Sequence, residues 1–388
     1  MRTLYFDYNA TTPLDPAVRE TMLPFLGAIY GNPSSIHHVG RRARALLDEA
    51  RDRVANVFRC QPSEMVFTSG GTESNNLAIF GTTRRLQAKG RHLITSAVEH
   101  HAVLHSFDYL SKREGFSFTV LPVDAEGRTC VASLAQSLRP DTILVSVMAA
   151  NNEIGTLQPV AELGALCRER GVIFHTDAAQ WFGKEPFTDI HQFNADLVSV
   201  CAHKFHGPKG AGALFIRSPL KPDPIIFGGG HENERRAGTE NLAAIIGLTE
   251  AVERFILEPV FARTRLQPLT ERLLKSVEDC PGARVVGPRL DRLANTLAFV
   301  VEGADSIGLL AGLDLEGICA SSGSACSAGS LEPSHVVMAL GLKPKLAHSL
   351  VRLSLGRETT EEEVALVGQV LPAVLRRAQL VQKPTNGV

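Results

Sequence analysis

The chain has 388 residues, 44% of them apolar and 21% charged, with a formal net charge of -1. Its length exceeds what one simple core holds and predicts two or three domains. The balanced charge argues against a nucleic-acid or membrane-surface role. No apolar run reaches the roughly 20 residues of a membrane helix, and MRTLYFDYNATTPLDP lacks the charged-then-apolar pattern of a signal peptide, so a cytoplasmic protein is expected.

Between Met65 and Ile216 short apolar runs alternate with longer amphipathic ones. MVFT (65–68), HLITS (92–96), FSFTVL (116–121), TILVSV (142–147), VIFHT (172–176), DLVSV (196–200) and GALFI (212–216) read as strands. Several are apolar throughout, as strands covered on both faces are. Helical patterns lie between many of them, with Gly90, Gly115 and Gly171 placed as stop signals. The pattern is that of an α/β unit with a mainly parallel sheet. Past the Gly-rich segment 228–230 comes a helical stretch over about 241–257, interrupted by Pro259, and a second over about 262–278. NTLAFVV (295–301), a helix near 306–313, LVRLSLG (350–356) and a last helix over about 360–379 read as a smaller α+β unit.

Seven cysteines stand at positions 60, 130, 167, 201, 280, 319 and 326, with no CxxC pair, so neither a zinc site nor a disulfide framework is expected. Most should be small buried hydrophobes. Cys326 differs, because SSGSACSAGS around it is small and polar and packs poorly.

Three further segments carry chemistry. SGGTESNN (69–76) joins a strand to a helix and offers backbone N–H groups to an anion. Asp177 stands just past the strand VIFHT, at the sheet edge where ligands bind, and Lys204 follows DLVSV inside CAHKFHGPKG. Taken singly, these read equally well as an ordinary turn, a helix-capping aspartate and a surface lysine. Together they are what pyridoxal phosphate needs: an anchor for its phosphate, a carboxylate that keeps its ring nitrogen protonated, and an amine that holds its aldehyde. His100, in EHHAVL, stands at another strand end where a ring could stack on the cofactor.

In order and spacing, from DYNATTPLDP to VRLSLGR, the chain resembles the cysteine desulfurases of the class-V aminotransferase family. The long form SSGSACSAGSLEPSHV resembles the members that serve iron–sulfur cluster and nitrogenase assembly, and RRAGTEN (235–241) leans toward the nitrogen-fixation type. The resemblance implies a type I pyridoxal-phosphate-dependent transferase fold: a large domain over 15–258, and a small one over 259–388 joined by the segment 1–14. It implies that Lys204 holds the cofactor and moves the proton at the substrate Cα, and that Asp177 pairs with the ring nitrogen. His100 would stack on the ring and shuttle protons. Asn152 and Gln180 would contact the ring hydroxyl oxygen, and Gly71, Thr72, Cys201 and His203 would line the phosphate. Thr239 would reach the phosphate of a partner subunit, making the active unit a homodimer. Arg352, with help from Asn32, would clamp the substrate carboxylate. The reaction implied turns L-cysteine into L-alanine and leaves sulfane sulfur on Cys326, for an iron–sulfur scaffold or another acceptor. Whether Cys326 also touches a cluster in transit stays open.

One departure stands out. Cys201 occupies a position where the family usually has serine, and a thiol is the weaker donor. Other enzymes of the fold, such as selenocysteine lyases and aminotransferases, are the near alternatives, and an aminotransferase has no need of a nucleophilic cysteine. A catalytically silent assembly protein would have no need of Lys204 and Cys326.

Overall fold

The computed structural model describes residues 3–323 and 332–381. Among them twelve strands form three sheets. In chain order these are β1 Leu4–Tyr5, β2 Met65–Thr68, β3 His92–Ser96, β4 Ser117–Leu121, β5 Thr142–Ser146, β6 Ile173–Asp177, β7 Leu197–Cys201, β8 Gly212–Ile216, β9 Ala283–Val286, β10 Thr296–Val301, β11 Ile318–Cys319 and β12 Val351–Ser354. The large sheet has the order β2-β8-β7-β6-β5-β3-β4. Only β8 runs against its neighbours, so the sheet is mainly parallel, as the unalternating apolar runs predict. Every residue of β5, β7 and β8 is buried, because helices cover both faces.

The helix His38–Phe58 illustrates the local logic. Ala43, Leu47, Ala50, Val54 and Phe58 recur at helical spacing and are buried against the large core. The helix ends where Arg59 turns to φ 55°. Leu242–Phe255 is buried along most of its length and is capped by the Asn241 side chain, which accepts from the Ala244 N–H at 3.2 Å. Gly115 closes its helix at φ 73°, as expected of a stop signal. Gly90 does not, because the helix before it already ends at Leu86. That helix starts at Gly71 and passes through a wider-wound turn at Leu77–Gly81, which its sequence pattern does not betray.

Toward the C-terminus β12-β10-β9 form an antiparallel sheet, and the N-terminal β1 pairs in parallel with β11. One apolar core runs from Val18 to Ile256. A second unites Leu4, Phe6 and Tyr8 with residues between Phe261 and Leu375. A third joins Val98 and Ile154 to Val286, Ala298 and Val300, fastening the small sheet to the loops at the edge of the large one. No helix among the described residues is long and apolar enough to cross a membrane.

Candidate active site

The loops after β2, β3, β5, β6 and β7 leave one edge of the large sheet, where carboxyl ends of parallel strands leave room for a ligand. They enclose a cavity of about 500 Å3, lined among others by Gly71, Thr72, His100, Asn152, Asp177, Gln180, Cys201, His203, Lys204 and Arg352. A wider depression of about 820 Å3 opens at the opposite edge, between Leu138, Val172 and Arg217, and contains none of these residues. Size alone therefore does not mark the site; the convergence of polar groups does.

Ten of the thirteen residues singled out in the sequence meet in this one cavity. Asn32 and Thr239 do not line it: both are exposed, and Asn32 accepts from the Ser34 N–H at 2.8 Å in a surface turn. Cys326 lies outside the described residues. The ends of its segment are tied beside the cavity. Ser321 and Arg352 exchange two backbone bonds of 3.1 and 2.6 Å, while Ser334 donates to Glu153 at 2.5 Å and His335 to the Glu99 carbonyl at 2.9 Å.

Lys204 donates to the carbonyls of Asn9 and Ala10 at 2.8 and 2.7 Å. Burial pulls its pKa below the usual lysine value; Arg352 adds to the pull, while Cys201, Asp177 and Asp7 oppose it. Lowering the ammonium's pKa favours the neutral amine, the form that attacks an aldehyde or takes a proton. Asp177 is buried at the end of β6, where Oδ2 accepts from Asn75 Nδ2 at 2.6 Å and Oδ1 from the Ala179 N–H at 3.0 Å. Asn75 belongs to SGGTESNN, where nothing local marks it for a role; only the fold turns it toward β6. Burial, and then Lys204, lower the pKa of His100, with Asp177 opposing, which favours a neutral ring. His203 is pushed down to about 4 by burial and by Lys204 and Lys209.

At the other end of the cavity Gly70 has φ 150°, a conformation open to glycine, and the helix begins at Gly71. A Cβ at Gly71 would come within 3.4 Å of Cys201 Cβ. Burial raises the Cys201 pKa, so it stays a thiol. This donor set fits pyridoxal phosphate: helix-start N–H groups for a phosphate, a carboxylate held ready for a ring N–H, and a lysine with lowered pKa for an aldehyde.

Arg352 is fully buried on β12. Its Nη1 donates to the Asn152 carbonyl at 2.9 Å and its Nη2 to Asp7 Oδ1 at 2.5 Å, but its buried Nε has no partner among the described residues. An unspent guanidinium donor in a cavity wall suits a carboxylate ligand. The N-terminal segment completes the wall. Asn9 Nδ2 donates to the Asn152 carbonyl and to Thr296 Oγ1, its Oδ1 accepts from Asn295, and its N–H bonds Ser354 Oγ. Asn9 thus ties the two sheets together directly beneath Lys204.

The aminotransferase class-V family model matches residues 4–367. The cysteine desulfurase IscS of Dictyoglomus turgidum is 47% identical over 98% of this chain and 96% of its own length. That of Clostridium botulinum strain Hall is 43% identical over 97% and 95%. Among solved structures a NifS-like protein superposes with a TM-score of 0.90 at 36% identity, covering 97% of this chain and all of that one.

Proposed function

Because this chain belongs to the class-V aminotransferase family and is a pyridoxal-phosphate-dependent cysteine desulfurase, we propose that its own residues divide the reaction as follows. When bound, pyridoxal phosphate supplies an aldehyde for an amino group and a protonated ring that accepts the electron pair left at Cα. Asp177 holds that ring N–H, and Asn75 and the Ala179 N–H keep its carboxylate aimed. Gly71, Thr72, Cys201 and His203 would take the phosphate, His100 would cover the ring, and Asn152 and Gln180 would meet the ring hydroxyl oxygen. Arg352 fixes the substrate carboxylate. Lys204, as a neutral amine, would carry the Cα proton. The Cys326 thiolate forms a bond to the substrate Sγ while the Cβ–Sγ bond breaks, and protons delivered to Cβ and returned to Cα complete L-alanine. Cys326 is left as a persulfide for a sulfur-acceptor protein such as an iron–sulfur scaffold.

The observation that carries this reading is the meeting of Lys204, Asp177 and Arg352 in one cavity, with Arg352 Nε unspent. The test is mass spectrometry of the protein after one equivalent of L-cysteine. One sulfur should be gained on the peptide containing Cys326, with one equivalent of alanine released. Alanine without added sulfur would refute it.

Thr239 is exposed and outside the cavity of its own chain, which suits the reading that it serves a partner subunit in a homodimer. The two apolar cores, one ending at Ile256 and the other uniting residues 4–8 with those from Phe261 onward, support the division into 15–258 and 259–388 with 1–14 joining the latter. A cytoplasmic location fits the same reading.

Two variants probe the ends of the cavity. Arg352→Gln should keep the cofactor but lose roughly ten- to a hundredfold in kcat/KM for L-cysteine, the value of about 1.5–3 kcal/mol for a bond to a charged group. An unchanged kcat/KM would remove Arg352 from the substrate. Cys201→Ser should slow cofactor loss on dialysis by up to about tenfold, since one added neutral hydrogen bond is worth about 0.5–1.5 kcal/mol. Faster loss would mean that the thiol suits the phosphate better than a hydroxyl.

A further inference from the structure

Lys184 is 2% exposed on the turn after β6, and none of the steps above uses it. Its Nζ donates to Asn9 Oδ1 at 2.7 Å and to Gln180 Oε1, and lies 5.2 Å from the centre of the Phe261 ring. Burial, and then the charges of Lys204 and Arg352, pull its pKa well below the lysine value; Glu185 opposes them but is itself paired with Arg263. A methionine of similar length would sit against Phe261 without the cost of burying an ammonium. What the lysine supplies is donors.

Those donors settle how Gln180 is turned. Gln180 lines the cavity, and its Nε2 donates to the Asn9 carbonyl at 2.9 Å. A backbone carbonyl only accepts, so the Asn9 carbonyl draws Gln180 Nε2 and leaves Oε1 toward Lys184, whose amino group donates to it. With Oε1 held by Lys184, the second N–H on Nε2 is all that Gln180 has left for the cavity. Without Lys184, Oε1 would be buried without a donor and the amide would be free to turn an acceptor toward the ligand.

We propose that Lys184 is a positioning residue that locks the Gln180 amide, so that it offers a hydrogen-bond donor and not an acceptor to the cofactor ring oxygen beside the aldehyde; this rests on the reading of Gln180 given above. A donor there stabilises negative charge on that oxygen and so favours loss of the proton shared between it and Lys204.

The test is a pH titration of the visible absorbance of the substrate-free holoenzyme, with thermal unfolding alongside. Lys184→Met should raise the titration midpoint by about one pH unit, a tenfold change in the proton equilibrium, because the donor orientation and a nearby positive charge are both lost. Its Tm should hold or rise, whereas a merely structural role would lower Tm and leave the midpoint in place. Lys184→Gln, which keeps a donor for Gln180 Oε1, should move the midpoint clearly less than Met does. Gln180→Ala should raise it. A shift in Gln180→Ala but none in Lys184→Met would overturn the inference alone. No shift in Gln180→Ala would overturn the reading of Gln180 and this inference with it. Equal shifts for Met and Gln would mean that Lys184 acts by charge and not by orientation, again overturning it. Should Lys184→Met fail to fold, Lys184→Gln decides: a midpoint at the wild-type value together with a shift in Gln180→Ala sustains the donor role, and one raised as far as in Gln180→Ala removes it.

Discussion

Lys204→Ala yields a folded protein without the lysine-bound visible absorbance of the cofactor, and turnover of L-cysteine falls by at least roughly 10²–10⁴-fold, the range for removal of a proton-transferring group. Folding survives because little is left unpaired. The Asn9 carbonyl keeps its bond from Gln180, and only the Ala10 carbonyl loses its donor. Neutralising this position also removes a charge that burial disfavours. Chemistry does not survive, because the amine with the lowered pKa beside Asp177 and Arg352 is gone. Spectra of dialysed protein and alanine release in single turnover check both halves. Alanine release near the wild-type rate would show that another amine does the work, and Lys184, which bonds the side chain of the same Asn9, would be the one to test.

Most of the sheet was legible in the sequence because its inner strands are buried on both faces and need no partner context to be read; the edge strand β4 is partly exposed and was read from its β-branched and aromatic residues instead. β2 to β8 fall within a residue or two of the apolar runs that predict them. So were the motif residues at strand ends, since a strand followed by Gly, Asp or Lys is a local signal. What escaped is non-local. Asp7 and Asn9 lie 345 residues from Arg352 and Ser354, and nothing near them in the chain announces those bonds. Lys184 reads as a surface lysine until Phe261 and Asn9 close over it. The two-residue β1 exists only through its pairing with β11, and β9, ARVV, is too short and mixed to show a pattern. Cys130 is the exposed one among the described cysteines, most of which were expected to be buried: it precedes the helix Val131–Ser137 and has its pKa lowered by the N–H groups of Ser133 and Ala132. Local spacing does not separate such a cysteine from a core one, because exposure is set by what the helix packs against.

Cys326→Ala retains the cofactor and responds spectrally to L-cysteine, yet releases no alanine in a single turnover. Cys326 follows Gly323 by three positions in the chain. The chain just before Gly323 is pinned at Ser321 by two backbone bonds to Arg352, the residue proposed to hold the substrate carboxylate. Cys319 sits on β11, half-buried, with its pKa raised by burial and by Asp314 and Asp7, so it is held as a thiol and makes a poor nucleophile. Cys319→Ala should therefore keep most of the activity. Cys60 and Cys167 are pushed up to about 12 by burial and are still less reactive. Cys130 is the one described cysteine that alkylating reagents should reach easily. Cys130→Ser is thus the background in which sulfur on Cys326 should be measured, and it should leave alanine release unchanged, since Cys130 does not line the cavity. Alanine release lost in Cys319→Ala but retained in Cys326→Ala would move the nucleophile to β11 and undo the proposed sulfur transfer. Retention in both, with sulfane sulfur found on Cys130, would make the Cys130 thiolate the group that takes Sγ as the Cβ–Sγ bond breaks, and would equally undo the assignment to Cys326.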